Sequence, residues 1–157
     1  MLEYFHRNSE YEIILTQVQQ SFLNRDINKM FNFTGKKPNN LGVKDGKLAA
    51  CPDTPNCVNS QSDDARSKIE PLPAKSIAEI KQAVEDMERA TIVEETENYL
   101  YTEFKSKLMG YVDDVEFYLD PNANAVQVRS ASRLGKSDLG VNRKRIEEIR
   151  SKLQSAN

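Results

Sequence analysis

Tyr111-Val112-Asp113-Asp114-Val115-Glu116-Phe117-Tyr118-Leu119, followed after Asp120-Pro121-Asn122-Ala123 by a second run from Asn124 to Arg133, decides the fold of this chain. In the first run Val115, Phe117 and Leu119 alternate with Asp114, Glu116 and Tyr118; in the second, Val126 and Val128 alternate with Gln127 and Arg129. A period of two belongs to strands with one apolar and one polar face, and so short a turn leaves no room for a crossover helix. The two runs therefore predict an antiparallel pair. Matching their apolar faces across the turn sets Phe117 opposite Val126, Val115 opposite Val128 and Asp114 opposite Arg129.

Upstream, Ala90 to Glu95 and Asn98 to Lys105 are separated by equally short polar turns. The second of them places Leu100, Thr102 and Phe104 on one side and Tyr99, Tyr101, Glu103 and Lys105 on the other. The economical arrangement is a four-stranded antiparallel meander. Before it, Ser76 and Glu79 form a Ser-x-x-Glu capping box, and Ile77, Ile80, Val84 and Met87 make the apolar stripe of a helix. After it, Ile146, Ile149 and Leu153 give one inward face to a closing helix from about Asn142 to Leu153. The expected fold class is thus α+β, with helices packed on one sheet face. The other face, rich in Tyr and charge, is expected to meet solvent or a ligand.

Two further segments precede this unit. Ser9 and Glu12 form another capping box, and Tyr11, Ile14, Leu15, Val18 and Phe22 share one helical face, which predicts an N-terminal helix. From Asn24 to about Pro73, Asn, Asp, Ser, Gly, Lys and Pro dominate, reading as one long irregular linker wrapped over the surface or used in function. The division expected is an N-terminal helix and extension over residues 1–40 and an α+β domain over 41–157.

The 157 residues are 38% hydrophobic and 29% charged, with a formal net charge of −2. That composition folds, but gives the molecule as a whole no attraction for nucleic acid. No apolar run approaches the roughly 20 residues of a membrane span. Glu3, His6, Arg7 and Glu10 near the start are unlike a secretory signal, so the expected setting is cytoplasmic or stromal. Cys51 and Cys57, in Cys51-Pro52-Asp53-Thr54-Pro55-Asn56-Cys57, could close a stiff disulfide loop, although free thiols are the favoured reading in a reducing compartment. With one histidine, distant in sequence, no zinc site is expected.

Three stretches carry a resemblance. Cys51 to Gln61, Tyr111 to Phe117, and Arg129-Ser130-Ala131-Ser132-Arg133 with Ser137 to Glu147 resemble, in order, the opening, middle and closing motifs of the family numbered 1499 among domains of unknown function. Phe33 to Val43 looks most like its cyanobacterial and plastid branch. The resemblance implies no established reaction, cofactor or catalytic residue. It does suggest a photosynthetic complex as the partner to look for, with a location peripheral to the thylakoid membrane.

The residues themselves favour a non-enzymatic accessory or binding protein. Tyr99, Tyr101 and Tyr118 offer rigid amphipathic contact area, Arg129 and Arg133 supply anchors, and Asp114 and Glu116 share that polar face. Asn142, Arg143 and Arg145 extend the basic closing motif, which leaves an alternative: a small enzyme, or a domain binding an anionic metabolite through those arginines. Against them, Arg129 could pair with Asp114, and residues 143–145 could be a solvated helix end whose charge asks for an anion such as Asp138. Asp113 and Asp114 are neighbours in a strand and so point to opposite faces, which argues against a shared metal. No nucleophile triad or phosphate-binding glycine loop appears.

Overall fold

The computed structural model describes residues 33–155, so the expected N-terminal helix lies outside the described residues. The elements are β1 (Cys57–Asn59), α1 (Ile77–Glu85), β2 (Ala90–Glu95), β3 (Tyr99–Lys105), β4 (Val112–Asp120), β5 (Ala125–Ser132) and α2 (Val141–Ser155). They build one antiparallel sheet in the order β1-β5-β4-β3-β2. The predicted meander is present, and a fifth strand corrects the expected four: Cys57, Val58 and Asn59, read as linker, pair with Ala131, Ser130 and Arg129. Three residues are too few to show a period, and their pairing is supplied by a strand some 70 positions later.

The register between β4 and β5 differs from the expectation by two residues. Phe117 faces Val128, Leu119 faces Val126, and Glu116, not Asp114, faces Arg129. The loop spans Pro121 to Asn124, with Asp120 paired to Ala125. A shift of two preserves parity, so each side chain still emerges on the face assigned to it.

Alternation places Leu100, Phe104, Val115, Phe117, Val126 and Val128 toward the helices, where they pack with Ile77, Ile80 and Val84 of α1 and Ile146, Ile149 and Leu153 of α2. One half of the expected capping box starts α1: the Ser76 hydroxyl accepts from the Glu79 N–H at 3.2 Å, while the Glu79 carboxylate reaches past the cap to accept from the Lys75 N–H at 3.2 Å. The second sheet face is not presented to solvent. Leu41, Val43 and Leu48, from the stretch read as linker, lie over Tyr99, Tyr101 and Tyr118, and all three tyrosines are buried. Cys51 and Cys57 are joined by a disulfide, where free thiols had been favoured.

Candidate functional site

The polar face of the sheet forms a layer of charge beneath the 41–48 strap. Glu116, wholly buried, accepts from the Gly42 N–H at 2.7 Å, from the Tyr99 hydroxyl at 3.0 Å and from Arg129 at 3.3 Å. Burial pushes its carboxyl above the usual range, against the pull of those donors. Arg133 donates to both oxygens of buried Asp114, to the Tyr101 hydroxyl at 2.9 Å and to Glu103. Its hydrogen bonds to Asp114 raise the guanidinium above its ordinary value. Burial, aided by the neighbouring carboxylates, likewise raises both Tyr99 and Tyr101. The Lys37 ammonium sits 4.4 Å above the Tyr101 ring.

On the opposite face, Asp113 meets Arg145 of α2 at 2.5 Å, and the guanidinium stacks 4.7 Å from the Phe104 ring. Neighbouring acids in β4 thus serve opposite faces. Each acid of the middle motif holds one arginine of the closing motif: Asp113 with Arg145, Asp114 with Arg133, Glu116 with Arg129. Charges this deeply buried persist only when paired, so these groups bind the motifs to one another.

Asn142 is a second junction. Wholly buried at the start of α2, it donates to the Asn56 carbonyl at 3.1 Å and the Ser132 hydroxyl at 3.0 Å, and accepts from Arg145 at 2.8 Å. Asp138 receives the N–H groups of Asn142 and Gly140 at 2.8 and 3.0 Å. Although burial acts to raise it, those donors hold its carboxyl below the usual range. It supplies the anion that the basic start of α2 requires. Arg143 donates to the Arg66 carbonyl at 3.0 Å. The opening motif fastens the strap: Asn59 donates to the Ala49 carbonyl, while Gln61 accepts from Leu48 and donates to the Gly46 carbonyl.

The structure therefore brings Tyr99, Tyr101, Asp114, Glu116, Arg129 and Arg133 together, as the alternation predicted, but under cover. Tyr118 is buried beside them, whereas Asn142, Arg143 and Arg145 lie with α2. The arrangement has little to offer acid–base chemistry, because each of the three acids of the middle motif is committed to a guanidinium. A cleft of about 580 Å³ opens between Asp86–Arg89, Lys105 and the start of α2, with Asp113 and Arg145 in its lining. Arg89, Lys105 and Lys144 on its walls are balanced by Asp86, Glu88 and Glu148, so it carries no net field toward an anion.

What sequence reasoning missed is the outer surface at one end of the sheet. Among the described residues, six of seven large exposed apolar side chains belong to segments meeting there: Phe33, Leu108, Tyr111, Leu134, Leu139 and Val141. Phe33 stacks on Tyr111 and donates its N–H to the Met109 carbonyl, and a side chain at Gly35 would strike Leu134. These residues come from three separate segments, so no local period announces them. The available signal was leucine in otherwise polar turns.

A family model described as "Protein of unknown function (DUF1499)" matches residues 47–153. No curated protein and no solved structure matches the chain.

Proposed function

The chain belongs to the DUF1499 family of proteins of unknown function, and from that premise we propose that it is a non-catalytic binding module that docks through the apolar end of its sheet. The observation that carries this reading is the gathering of Leu108, Leu134, Leu139, Tyr111, Phe33 and Val141 at one end, while the rest of the described surface leaves only Val93 comparably exposed. Exposed apolar side chains grouped at one end of a fold are a feature of interaction sites. The tyrosines and arginines first suggested as contacts support it from behind, as the rigid polar layer on which the loops are mounted. Among the described residues no helix is long and apolar enough to cross a membrane. A cyanobacterial or plastid setting, and a photosynthetic complex as partner, rest on the resemblance of the Phe33–Val43 stretch and enter no step of this reading.

Photo-crosslinking tests it. A photoreactive residue placed at Leu108 or Leu139 should form adducts in lysate of the source organism, membranes retained, while the same residue at Asn122 in the opposite turn should not. Adducts at 122 with none at 108 or 139 would move the contact surface elsewhere.

A further inference from the structure

Resting on that reading, we infer that the partner at this end is an anionic lipid bilayer surface, into which Leu108 and Leu139 insert while a ring of lysines meets the headgroups. Leu139 is 95% exposed, and its backbone lies in the left-handed region at φ +54°. A leucine there breaks two local rules together, an apolar side chain in water and a non-glycine residue at positive φ, and its exposure leaves almost no packing within the described fold to offset either. Sites where a sequence breaks local rules without an internal gain are where function is to be sought. Leu108, 82% exposed at the tip of the β3–β4 turn, repeats the pattern from a different loop.

Charge identifies what the two tips face. The loops at this end read Phe33-Thr34-Gly35-Lys36-Lys37, Lys105-Ser106-Lys107-Leu108-Met109-Gly110-Tyr111 and Arg133-Leu134-Gly135-Lys136-Ser137-Asp138-Leu139-Gly140, with Asp138 as their one acid. Lys36, Lys105, Lys107, Lys136 and, one turn into α2, Lys144 are all exposed. Asp138 is occupied at the start of α2, Glu88 is paired with Arg89 at 2.9 Å, and Asp86 and Glu148 offset Lys105 and Lys144 across the cleft; Lys36, Lys107 and Lys136 remain in excess over exposed Asp53 of the Cys51–Cys57 loop, whose Asn56 bonds Gly135. The opposite end has the reverse sign: Glu94 and Glu97 flank the β2–β3 turn, beside Glu95 paired with Lys81 at 2.8 Å, and Asp120 opens the β4–β5 turn, with no lysine or arginine in 94–98 or 119–124. A chain of net charge −2 is thereby polarised along its strands, basic and apolar at one end, acidic at the other.

An anionic bilayer attracts the first end, repels the second and so orients the molecule. Its interface accepts apolar tips flanked by lysines, whose stems lie along apolar surface while their ammonium groups stay in water. A nucleic acid would use the lysines and leave the leucines unexplained. A protein groove would need a concave complement to tips carried on separate loops.

The test is sedimentation of the full chain with vesicles of phosphatidylcholine containing about one-third phosphatidylglycerol, against pure phosphatidylcholine, at about 0.1 M salt. Binding is expected to the anionic vesicles alone, weakening about tenfold or more as salt rises several-fold. Leu108→Asp with Leu139→Asp should abolish it with the melting temperature unchanged, since both side chains are solvent-exposed and Asp tolerates the left-handed backbone at 139. Lys107→Glu with Lys136→Glu should do the same. Equal binding to both vesicle types, or binding that survives the leucine pair, overturns the inference. Crosslinks from 108 and 139 to protein, with no vesicle binding, overturn the lipid partner and leave the docking end in place; no crosslinks from either position remove both.

Discussion

At the residue scale, the arginines of the closing motif change role between sequence and structure. Arg133, proposed from sequence as an exposed contact, has a side chain 6% exposed that touches Asp114, Glu103 and Tyr101 at once. Removing a guanidinium from such a site leaves the Asp114 carboxylate buried without a cation, and breaking a buried pair costs roughly 3–5 kcal/mol. Arg133→Ala is accordingly expected to lower stability by that amount in urea titration, not to act on binding alone. Arg133→Lys should recover only part of it, because an ammonium cannot reproduce the planar two-pronged contact with both Asp114 oxygens. If Arg133→Ala unfolds at the wild-type midpoint, the buried ion-pair layer does not hold the sheet as described. Alternation in β4 correctly put these groups on one face. Which acid met which arginine was hidden, because two registers differing by two residues match the apolar faces equally well.

At the element scale, the strap from Leu41 to Leu48 turns a one-faced sheet into one buried on both sides. It is held by the Gly42 N–H to Glu116 at 2.7 Å, by Gln61 to Leu48 and Gly46, and by Lys44 and Lys47, which exchange backbone bonds at 2.9 Å. Gly42 has φ +100°, a conformation that L side chains rarely adopt, and an added Cβ would meet nothing within 4 Å. Gly42→Ala therefore isolates backbone strain from steric clash. It should cost about 1–3 kcal/mol and speed amide exchange at positions 41–48 before the rest of the sheet. Uniform exchange across strap and sheet would show that the strap does not open separately. The helices were legible because caps and stripes are local, whereas the strap has no period and makes its hydrogen bonds with partners far along the chain.

At the scale of the whole molecule, the opening motif ties the sheet edge to both the strap and α2. The Cys51–Cys57 bond, its ends six positions apart in sequence, closes the loop that carries Asn56, and Asn56 in turn holds the Gly135 and Asn142 regions. A short loop of this kind restricts the unfolded chain by about 2–3 kcal/mol. Reductant should lower the melting temperature of the wild type by several degrees and leave a Cys51→Ser, Cys57→Ser variant unmoved at the reduced value. A wild type indifferent to reductant would mean that the cysteines contribute nothing as a pair. What the sequence determined by itself was what had a short repeat or a local partner: the four meander strands, the two faces of the last three, the capped start of α1 and the closing helix. Only the tertiary structure decided the fifth strand, the β4–β5 register, the burial of the tyrosine face, the disulfide and the gathering of leucines and lysines at one end. The fifth strand, the covered tyrosine face and the gathering depend on segments tens of residues apart, which have no period to betray them until the chain has folded; the register stayed open because two alignments match the apolar faces equally well, and the disulfide because so short a spacing suits two thiols or a bond alike.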